Sequence, residues 1–446
     1  MPASRTADNL EHAVELARAA RCWLIVLCSR ETRATEVAQL FTDRGFGKGA
    51  AVDIPDDYCH PLLAFSSSDV VRGSEPPVCV NPNGDLSAKR NLGLLLAKML
   101  GWSRIFFMDD DVRGVSLADL RATVSMLDRY RTVGMRVTDY ADNSVVCHAK
   151  RATGADQDVF VSGSVLAINC QQPFGFFPEI YNEDWLFFYD DVRARRLGWS
   201  GRDVTQLRYD PFENVGRAEG QEFGDVLAEG LYALIHLGSG VTEATVAYWN
   251  NFLSTRKMVL EQIIERSDLV APEIGQNIVR AVQTAMLCLM QLQPEAFDDY
   301  IKAWQDDLRA WAERLETQPR VDSMEEALEM LELGPAQRGH PTIQIPVGTM
   351  SDRQEILDAD AFATSRMGLE SSRPRRSTGV RWRTGPDRTD RCPRSRPVEA
   401  RRAARRLGVG ADAGSDGSYR VGDSQRQRLD LISYAWSLLA SLLTRP

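Results

Sequence analysis

The sequence lacks three features that would each point to a particular class of protein. Its eight cysteines include no C-x-x-C pair, so neither a zinc framework nor a disulfide scaffold is indicated. No unbroken apolar run approaches about 20 residues, which argues against a transmembrane helix. The first 20 residues are charged and lack the apolar segment of a secretory signal. We therefore expect a cytoplasmic protein whose thiols are reduced.

The composition is that of a folded protein. Apolar residues make up 43% of the 446 residues and charged residues 26%, both close to globular averages. At about 150 residues per domain, this length predicts two to three folded units.

Charge is distributed unevenly along the chain. Residues 371–430 carry 16 arginines, no lysine and seven acidic residues, a net charge of +9, whereas the rest of the chain carries −18. The negative charge of the residues outside 371–430 argues against nucleic acid as a partner, because nucleic-acid binding needs positive charge near the phosphates. Ser371–Arg428 has few large apolar residues and is predicted to be disordered. Leu429–Leu443 could form a short apolar helix, which leaves two alternatives: weak contact with a membrane surface, or a dispensable extension.

The N-terminal half alternates helical and strand patterns. Buried strands are indicated by short apolar runs, and helices by apolar residues at helical spacing. The predicted order is a helix at Asn9–Ala20, a strand at Cys22–Cys28, a helix at Arg33–Arg44, a strand at Ala50–Ile54, a helix at Ser87–Leu100 and strands at Arg104–Met108 and Val159–Ile168. This alternation predicts an α/β fold with a Rossmann-like, mostly parallel sheet.

The pattern changes to helices beyond residue 242. The predicted helices are Glu243–Arg266, Pro272–Leu292, Pro294–Thr317 and Met324–Leu333. We therefore divide the chain into an α/β domain at 1–242, a helical region at 243–338 and an arginine-rich tail at 339–446.

Three adjacent carboxylates, Asp109, Asp110 and Asp111, follow the strand that ends at Met108. Ligands of parallel α/β sheets bind at the carboxyl ends of the strands. Neighbouring carboxylates repel one another unless a cation is present, and hard oxygens suit Mg²⁺ or Mn²⁺. Asp109 and Asp111 are the expected metal ligands. The alternative is a solvated acidic turn.

A basic pair lies one helix before this triplet. Lys89 and Arg90 begin the helix with Asn91, and cations there could offset the charge of a diphosphate while the amide donates hydrogen bonds. A Lys-Arg pair by itself is more often an ordinary solvated face.

A second acidic motif, Asn182-Glu183-Asp184-Trp185, lies among aromatic residues. Apolar surroundings raise the pKa of a carboxylate and make it a better general base, and aromatic faces can stack on a sugar. The alternative is an aromatic core whose helix is capped by Asn182 or Asp184.

Two further residues are weaker candidates. Gly163 interrupts an apolar strand, which is a common sign that another group approaches the backbone closely at that position. His236 could complete a metal site with Asp111, although a lone histidine is more often structural.

The two acidic motifs in this order resemble those of GT-A fold glycosyltransferases, especially the inverting family-2 type. The resemblance covers about Cys22 to Gly240 and rests on AKRNLGLLLAKMLGWSRIFFMDDDV followed by NEDWLFF. It implies that Asp109–Asp111 is the DxD motif and that Asp184 deprotonates the acceptor hydroxyl. It also implies that His236 is a metal ligand and that Asp53 contacts the nucleotide base.

The chain departs from this family at two points. The apolar strand at Cys22–Cys28 continues as CSRET rather than a Pro-x-x-Asn-like opening, and the Q-x-x-R-W motif of processive synthases is absent. A haloacid-dehalogenase-like phosphatase also uses Asp-x-Asp after a strand, but it requires Thr or Val where Arg113 stands. A non-catalytic binding protein on a transferase fold is the other alternative.

The resulting expectation is a hexosyltransferase-like enzyme that depends on Mn²⁺ or Mg²⁺. It would transfer a sugar from a nucleotide-diphosphate donor to a small-molecule, glycan or lipid-linked hydroxyl, with inversion. Donor binding is expected to involve Asp53, Lys89, Arg90, Asn91, Asp109, Asp110, Gly163 and Trp185.

Overall fold

A computed structural model describes residues 1–73, 85–138, 144–154 and 161–339. These residues belong to one compact unit. Both predictions for the tail, the disorder of Ser371–Arg428 and the helix at Leu429–Leu443, lie outside them.

A small sheet of three parallel strands begins the fold. It contains β1 (Pro2–Ala3), β2 (Leu24–Cys28) and β3 (Gly49–Asp53), in that order. Ala3 lies beside Cys28, and Cys28 lies beside Asp53, so the carboxyl ends of the three strands are aligned. The two strands predicted here are confirmed, but the two-residue strand β1 is too short to leave a pattern in the sequence.

A mixed sheet of five strands follows. Its strands are β4 (Arg104–Met108), β5 (Val112–Arg113), β6 (Thr132–Thr138), β7 (Val165–Asn169) and β8 (Leu197–Gln206), in the order β4-β7-β6-β8-β5. Only β6 and β8 are parallel, whereas β7 runs antiparallel to both of its neighbours. The α/β class is therefore confirmed, but the expected mostly parallel arrangement holds only in the smaller sheet. Strand direction depends on pairing, which an apolar run does not encode.

Twelve α-helices occur in the described ranges. They are α1 (Glu11–Ala20), α2 (Ala34–Asp43), α3 (Ser66–Arg72), α4 (Asp85–Met99), α5 (Leu117–Ser125), α6 (Val145–Ala152), α7 (Glu183–Arg193), α8 (Gly216–His236), α9 (Val246–Glu265), α10 (Pro272–Leu289), α11 (Pro294–Thr317) and α12 (Met324–Met330). The helices predicted from periodicity and proline positions are confirmed. Helix α8 was not predicted, although most of its side chains are buried.

The four helices after residue 242 share a core with the α/β part. Trp249 of α9 is fully buried, and its ring lies 4.7 Å from that of Phe297 and against Gly230 of α8. Phe223 of α8 stacks on Phe297 at 4.8 Å. Apolar contacts therefore continue across residue 242. None of the described helices is long and apolar enough to cross a membrane.

Helix α8 lies close to the segment that leads into α7. A Cβ added at Gly224 would lie 2.1 Å from the carbonyl oxygen of Tyr181, a backbone atom that cannot move aside alone. Glycine at position 224 therefore lets α8 pack directly against the backbone at Tyr181, two residues before α7 begins.

Gly224→Ala is expected to destabilise the protein by about 1–3 kcal/mol, the usual cost of forcing an extra carbon into a packed interior. Gly334→Ala is the matched control, because a Cβ there meets nothing within 4 Å. Urea denaturation of both variants measures the difference. Equal stability of the two variants would contradict the close packing of α8.

Candidate functional site

The acidic triplet lies in a turn and not on the strand. Strand β4 ends at Met108, and the Val112 N–H donates to the Asp109 carbonyl at 3.3 Å. The alternation of strand side chains, which predicted that Asp109 and Asp111 lie on one side, does not apply within a turn. Instead, Asp110 and Asp111 face one guanidinium and Asp109 faces another.

Arg5 binds two of the three carboxylates. Its guanidinium donates to Asp110 Oδ1, and its Nη2 donates to Asp111 Oδ2 at 2.9 Å. The backbone N–H groups of Ser4 and Arg5 also donate to Asp110 Oδ2, at 2.7 and 2.9 Å. Asp111 Oδ2 accepts a further hydrogen bond from Gln206 Nε2 at 2.9 Å. The residues that follow β1 thus close one side of the acidic turn.

Arg90 joins the two acidic motifs. Its Nη2 lies 2.9 Å from Asp109 Oδ2, and its Nη1 lies 2.5 Å from Glu183 Oε1. The Arg90 side chain is 2% exposed, so both ion pairs form away from water. The structure therefore brings the motif after β4 and the motif that begins α7 to one buried cation.

Gly163 allows Asp184 to approach this cluster. The Gly163 N–H donates to Asp184 Oδ2 at 2.6 Å, and Asp184 Oδ1 accepts from the Trp185 N–H at 2.9 Å. A Cβ at Gly163 would lie 2.7 Å from Asp184 Cβ and 2.9 Å from Arg90 Nη1. The close approach to the backbone predicted at Gly163 is confirmed, but Gly163 does not interrupt a strand as predicted: it lies in a turn before β7, which begins at Val165. Asn182, in contrast, makes no capping bond with its side chain.

Burial raises the pKa values of both carboxyl groups at the start of α7. The pKa of Glu183 rises to about 8, mainly through desolvation, although Arg90 opposes the rise. Burial also raises the pKa of Asp184, and the opposing influences are Arg90 and the N–H groups of Gly163 and Trp185. One buried guanidinium cannot offset three nearby carboxylates fully, so this pair titrates closer to neutrality than ordinary acids do.

Lys89 and Asn91 bind other parts of the protein. Lys89 is 1% exposed, and its Nζ lies 2.8 Å from the Ala3 carbonyl oxygen and 3.0 Å from Asp85 Oδ2. The Asn91 amide exchanges two 2.8 Å hydrogen bonds with the backbone of Phe177. Both side chains therefore hold β1 and the segment before α7 in place around the cluster.

Asp53 and Trp185, two of the predicted donor contacts, are at least partly exposed. Asp53 is exposed at the end of β3, and it is in register with Cys28 of β2, which is in register with Ala3 of β1. Asp53 Oδ1 accepts a hydrogen bond from the Ala34 N–H at 2.8 Å. Trp185 is half-buried beside Asp184, with its ring 4.6 Å from that of Tyr232.

His236 is exposed and is the last residue of α8. In the described part of the chain, one group of three possible metal ligands has all its ligand atoms within 4.8 Å of one another: Cys147, Asp225 and Glu229. The predicted trio of Asp109, Asp111 and His236 does not form such a group there. Both carboxylates of the observed group bind Arg256 Nη atoms at 3.0 Å, which identifies a structural ion pair.

The acidic turn holds a cation that belongs to the protein itself, the guanidinium of Arg5. Asp110 and Asp111 are 3% and 5% exposed, and together they already hold a positively charged group. Carboxylate oxygens are also the ligands that Mg²⁺ and Mn²⁺ prefer. Among the described residues, however, Asp109, Asp110 and Asp111 do not form a group of three converging ligand atoms, so a metal at this turn stays a prediction.

Sequence reasoning missed Arg5 because it placed the first strand of the fold at Cys22–Cys28. The structure shows that β1 precedes it, so the polar residues after the first strand are Ser4 and Arg5. A two-residue strand leaves no pattern in the sequence, so no local signal could have identified Arg5.

The chain matches no protein-family model and no curated protein. Functional inference therefore rests on the two motifs and on their meeting at Arg90.

Glu183→Gln is expected to change how stability depends on pH. Burial raises the pKa of Glu183 in the folded protein to about 8, whereas the ordinary pKa of a glutamate in the unfolded chain is about 4.3. Folding then favours the protonated form, and this contribution to stability is lost as pH rises towards 8. Glutamine cannot ionise, so the variant should gain about 1–3 kcal/mol relative to the wild type between pH 5 and pH 8.

Chemical denaturation at pH 5, 6, 7 and 8 measures this difference. Glu36→Gln, at an exposed position in α2, is the control and should follow the wild type at every pH. Parallel stability curves for Glu183→Gln and the wild type would contradict the raised pKa.

Proposed function

We propose that the protein is a glycosyltransferase that moves a sugar from a nucleotide-diphosphate donor to an acceptor hydroxyl. One observation carries the proposal: Arg90 joins Asp109 to Glu183, and Asp184 lies against Gly163 in the same cluster. The acidic turn, where the diphosphate would leave, thus lies next to a carboxylate with a raised pKa, which would take the hydroxyl proton. Sugar transfer from a nucleotide-diphosphate donor needs a site for each of these two steps.

Asp184 is the proposed general base. Burial raises its pKa, which favours proton uptake, and the Gly163 N–H fixes its orientation. The acceptor oxygen forms a bond to the anomeric carbon while the bond from that carbon to the diphosphate oxygen breaks. The hydroxyl proton passes to Asp184, and a single displacement of this kind inverts the anomeric carbon.

The diphosphate is proposed to leave at the acidic turn. Mn²⁺ or Mg²⁺ held by Asp109, Asp110 and Asp111 would supply positive charge to the departing group when bound. Arg90 is buried in its ion pairs, so it acts by positioning Asp109 and Glu183. Lys89 likewise acts through its bond to the Ala3 carbonyl and not through direct contact with the donor.

The nucleotide is proposed to lie along the carboxyl ends of the three-stranded sheet. Ala3, Cys28 and Asp53 end neighbouring strands in register, and Asp53 is exposed. Ligands of α/β sheets bind at this edge. Asp53 would contact the base, and Trp185 would pack against the sugar.

The proposal is tested by thermal shift with a set of nucleotide sugars, with and without Mn²⁺. A ligand that binds only the folded protein must raise the melting temperature, by about 2–5 °C at concentrations well above Kd. We expect a shift with one donor class in the presence of Mn²⁺. A flat response to every donor contradicts the proposal. Release of phosphate from an aryl phosphate, with an adduct at Asp109, would instead indicate a phosphatase, and donor binding without turnover a binding protein.

Asp111→Asn should abolish the metal-dependent part of the donor shift, because it removes one charge from the turn that holds the cation. Asp203→Asn is the control, since Asp203 forms a surface ion pair with Arg136. A full shift with Asp111→Asn would exclude this carboxylate from the donor site.

Asp184→Asn should lower turnover by about 10²–10⁴-fold, the usual contribution of a general base, with donor affinity nearly unchanged. Glu183→Gln is the matched variant, and its turnover should fall less than about tenfold because Glu183 binds Arg90 and not the acceptor. Near-normal turnover in Asp184→Asn would remove the base from the mechanism.

A further inference from the structure

Asn182 is the residue at which the chain turns into helix α7. It has a φ of 64° and a ψ of 35°, the left-handed conformation. Its carbonyl oxygen accepts the first hydrogen bonds of the helix, from the N–H groups of Trp185 at 3.1 Å and Leu186 at 3.4 Å. The direction in which α7 begins, with Glu183 and Asp184 as its first two residues, therefore depends on the backbone conformation of Asn182.

The side chain of Asn182 joins this backbone to helix α8. Its Nδ2 donates to Oδ1 of Asp225, 43 positions later in the chain, at 2.9 Å. Asp225 is 2% exposed, and its Oδ2 accepts from Arg256 Nη2 at 3.0 Å. Arg256 is itself held by Glu222 and Glu229. Asp225 is thus a fixed acceptor, because a buried carboxylate that leaves its paired cation becomes an uncompensated charge.

The position of Asp184 tolerates little displacement. Its Oδ2 accepts from the Gly163 N–H at 2.6 Å, at a place where a Cβ on Gly163 would already lie too close to Asp184. Hydrogen bonds weaken steeply as their angle departs from linear, so a rotation of the first turn of α7 would weaken this contact. The bond between Gly163 and Asp184 therefore depends on where α7 begins.

We propose that Asn182 is a positioning residue for Asp184 and that it acts through its hydrogen bond to Asp225. This inference rests on the proposed function, in which Asp184 is the general base. The Asn182 amide holds the left-handed turn against α8, and the turn sets the place of the Asp184 carboxylate beside Gly163. In this role Asn182 acts through the backbone and not on the reacting groups.

The competing explanation is that asparagine is present only because it tolerates a positive φ. Glycine adopts this conformation at least as readily, so Asn182→Gly would then leave the start of α7 in place. Under the proposal, the same substitution still allows the turn but removes the amide that fixes it. Asn182→Gly therefore separates the two explanations.

The experiment is hydrogen exchange of the Gly163 amide, followed by NMR in the full chain without metal or nucleotide sugar. In Asn182→Gly this amide should exchange at least about 10-fold faster than in the wild type, the effect expected for loss of one hydrogen bond to a charged group. The Asp109 amide is the internal reference, because it donates to the Ser164 carbonyl at 2.9 Å in the neighbouring turn. Its exchange should change by less than about twofold.

Arg195→Gly is the matched control. Arg195 also has a positive φ, of 55°, but it is exposed and lies just beyond the other end of α7. Exchange of the Gly163 amide in this variant should stay within about twofold of the wild type. Circular dichroism establishes that each variant is folded.

The double variant Asn182→Asp/Asp225→Asn provides a rescue test. Asn182→Asp alone places two carboxylates in contact and should accelerate exchange of the Gly163 amide. With the second substitution, the new amide N–H at position 225 can donate to position 182, and its carbonyl oxygen can accept from Arg256. Exchange of the Gly163 amide should then return to within about threefold of the wild type.

Unchanged exchange of the Gly163 amide in Asn182→Gly overturns the proposal. Equal acceleration of the Asp109 amide also overturns it, because that result indicates a general loss of structure. If Asn182→Gly fails to fold, the double variant decides: exchange close to that of the wild type supports the proposal, and failure to restore it overturns the proposal.

These measurements are independent of the sugar donor. A Gly163 amide whose protection depends on Asn182, in a protein that responds to no nucleotide sugar, would count against the proposed function alone. Where a donor does turn over, kcat of Asn182→Gly should fall about tenfold with KM nearly unchanged, since a displaced base slows proton transfer and not donor binding. Normal exchange and normal kcat in this variant, beside an inactive Asp184→Asn, would count against the positioning role alone.

Discussion

The candidate site depends on the ion pairs of one buried arginine. Arg90 is 2% exposed and lies between Asp109 and Glu183. Removing a guanidinium from water is costly, and only hydrogen-bonded carboxylates offset that cost. The position of Arg90 therefore requires both acidic motifs to be present at once. Arg90 therefore links helix α4 to the turn after β4 and to the start of α7.

The same arrangement sets the chemistry of the site. Asp109, Glu183 and Asp184 surround one cation, and burial raises the pKa values of the two carboxyl groups on α7. A group that must accept a proton gains from this, because its pKa moves towards neutral pH. Burying carboxylates is unfavourable in an ordinary core, but here the same burial raises the pKa of Asp184 and makes it more suitable as a base.

The helical region contributes to the site through a second buried arginine. Arg256 of α9 donates to Glu222 at 2.8 Å and to Asp225 at 3.0 Å, and Asp225 accepts from Asn182 Nδ2 at 2.9 Å. Asn182 has a φ of 64°, a left-handed conformation that asparagine tolerates better than most residues. It immediately precedes Glu183, so the orientation of the second acidic motif depends on contacts made by α8 and α9.

The sequence by itself determined the elements with a strong local signal. Strands β2, β3 and β4 were evident from apolar runs. Helices α9 to α12 were evident from their helical pattern, supported by proline at the first turns of α10 and α11 and by the Ser323 cap of α12. Both acidic motifs and the close approach at Gly163 were also visible, because adjacent carboxylates and a glycine stand out within otherwise apolar runs. Strand β1 and helix α8 were not, since one is two residues long and the other is buried on most sides without a strong terminal signal.

Only the tertiary structure decided which partner each side chain has. The sequence predicted that Lys89 and Asn91 bind the donor, but in the structure they bind the backbone at Ala3 and Phe177. Arg5 carried no local signal, yet it binds Asp110 and Asp111 more than 100 residues away. Local patterns follow from the backbone geometry of neighbouring residues, whereas ion pairs between distant residues follow from packing. The direction of the strands and the partners of the acidic turn therefore became defined only in the folded chain.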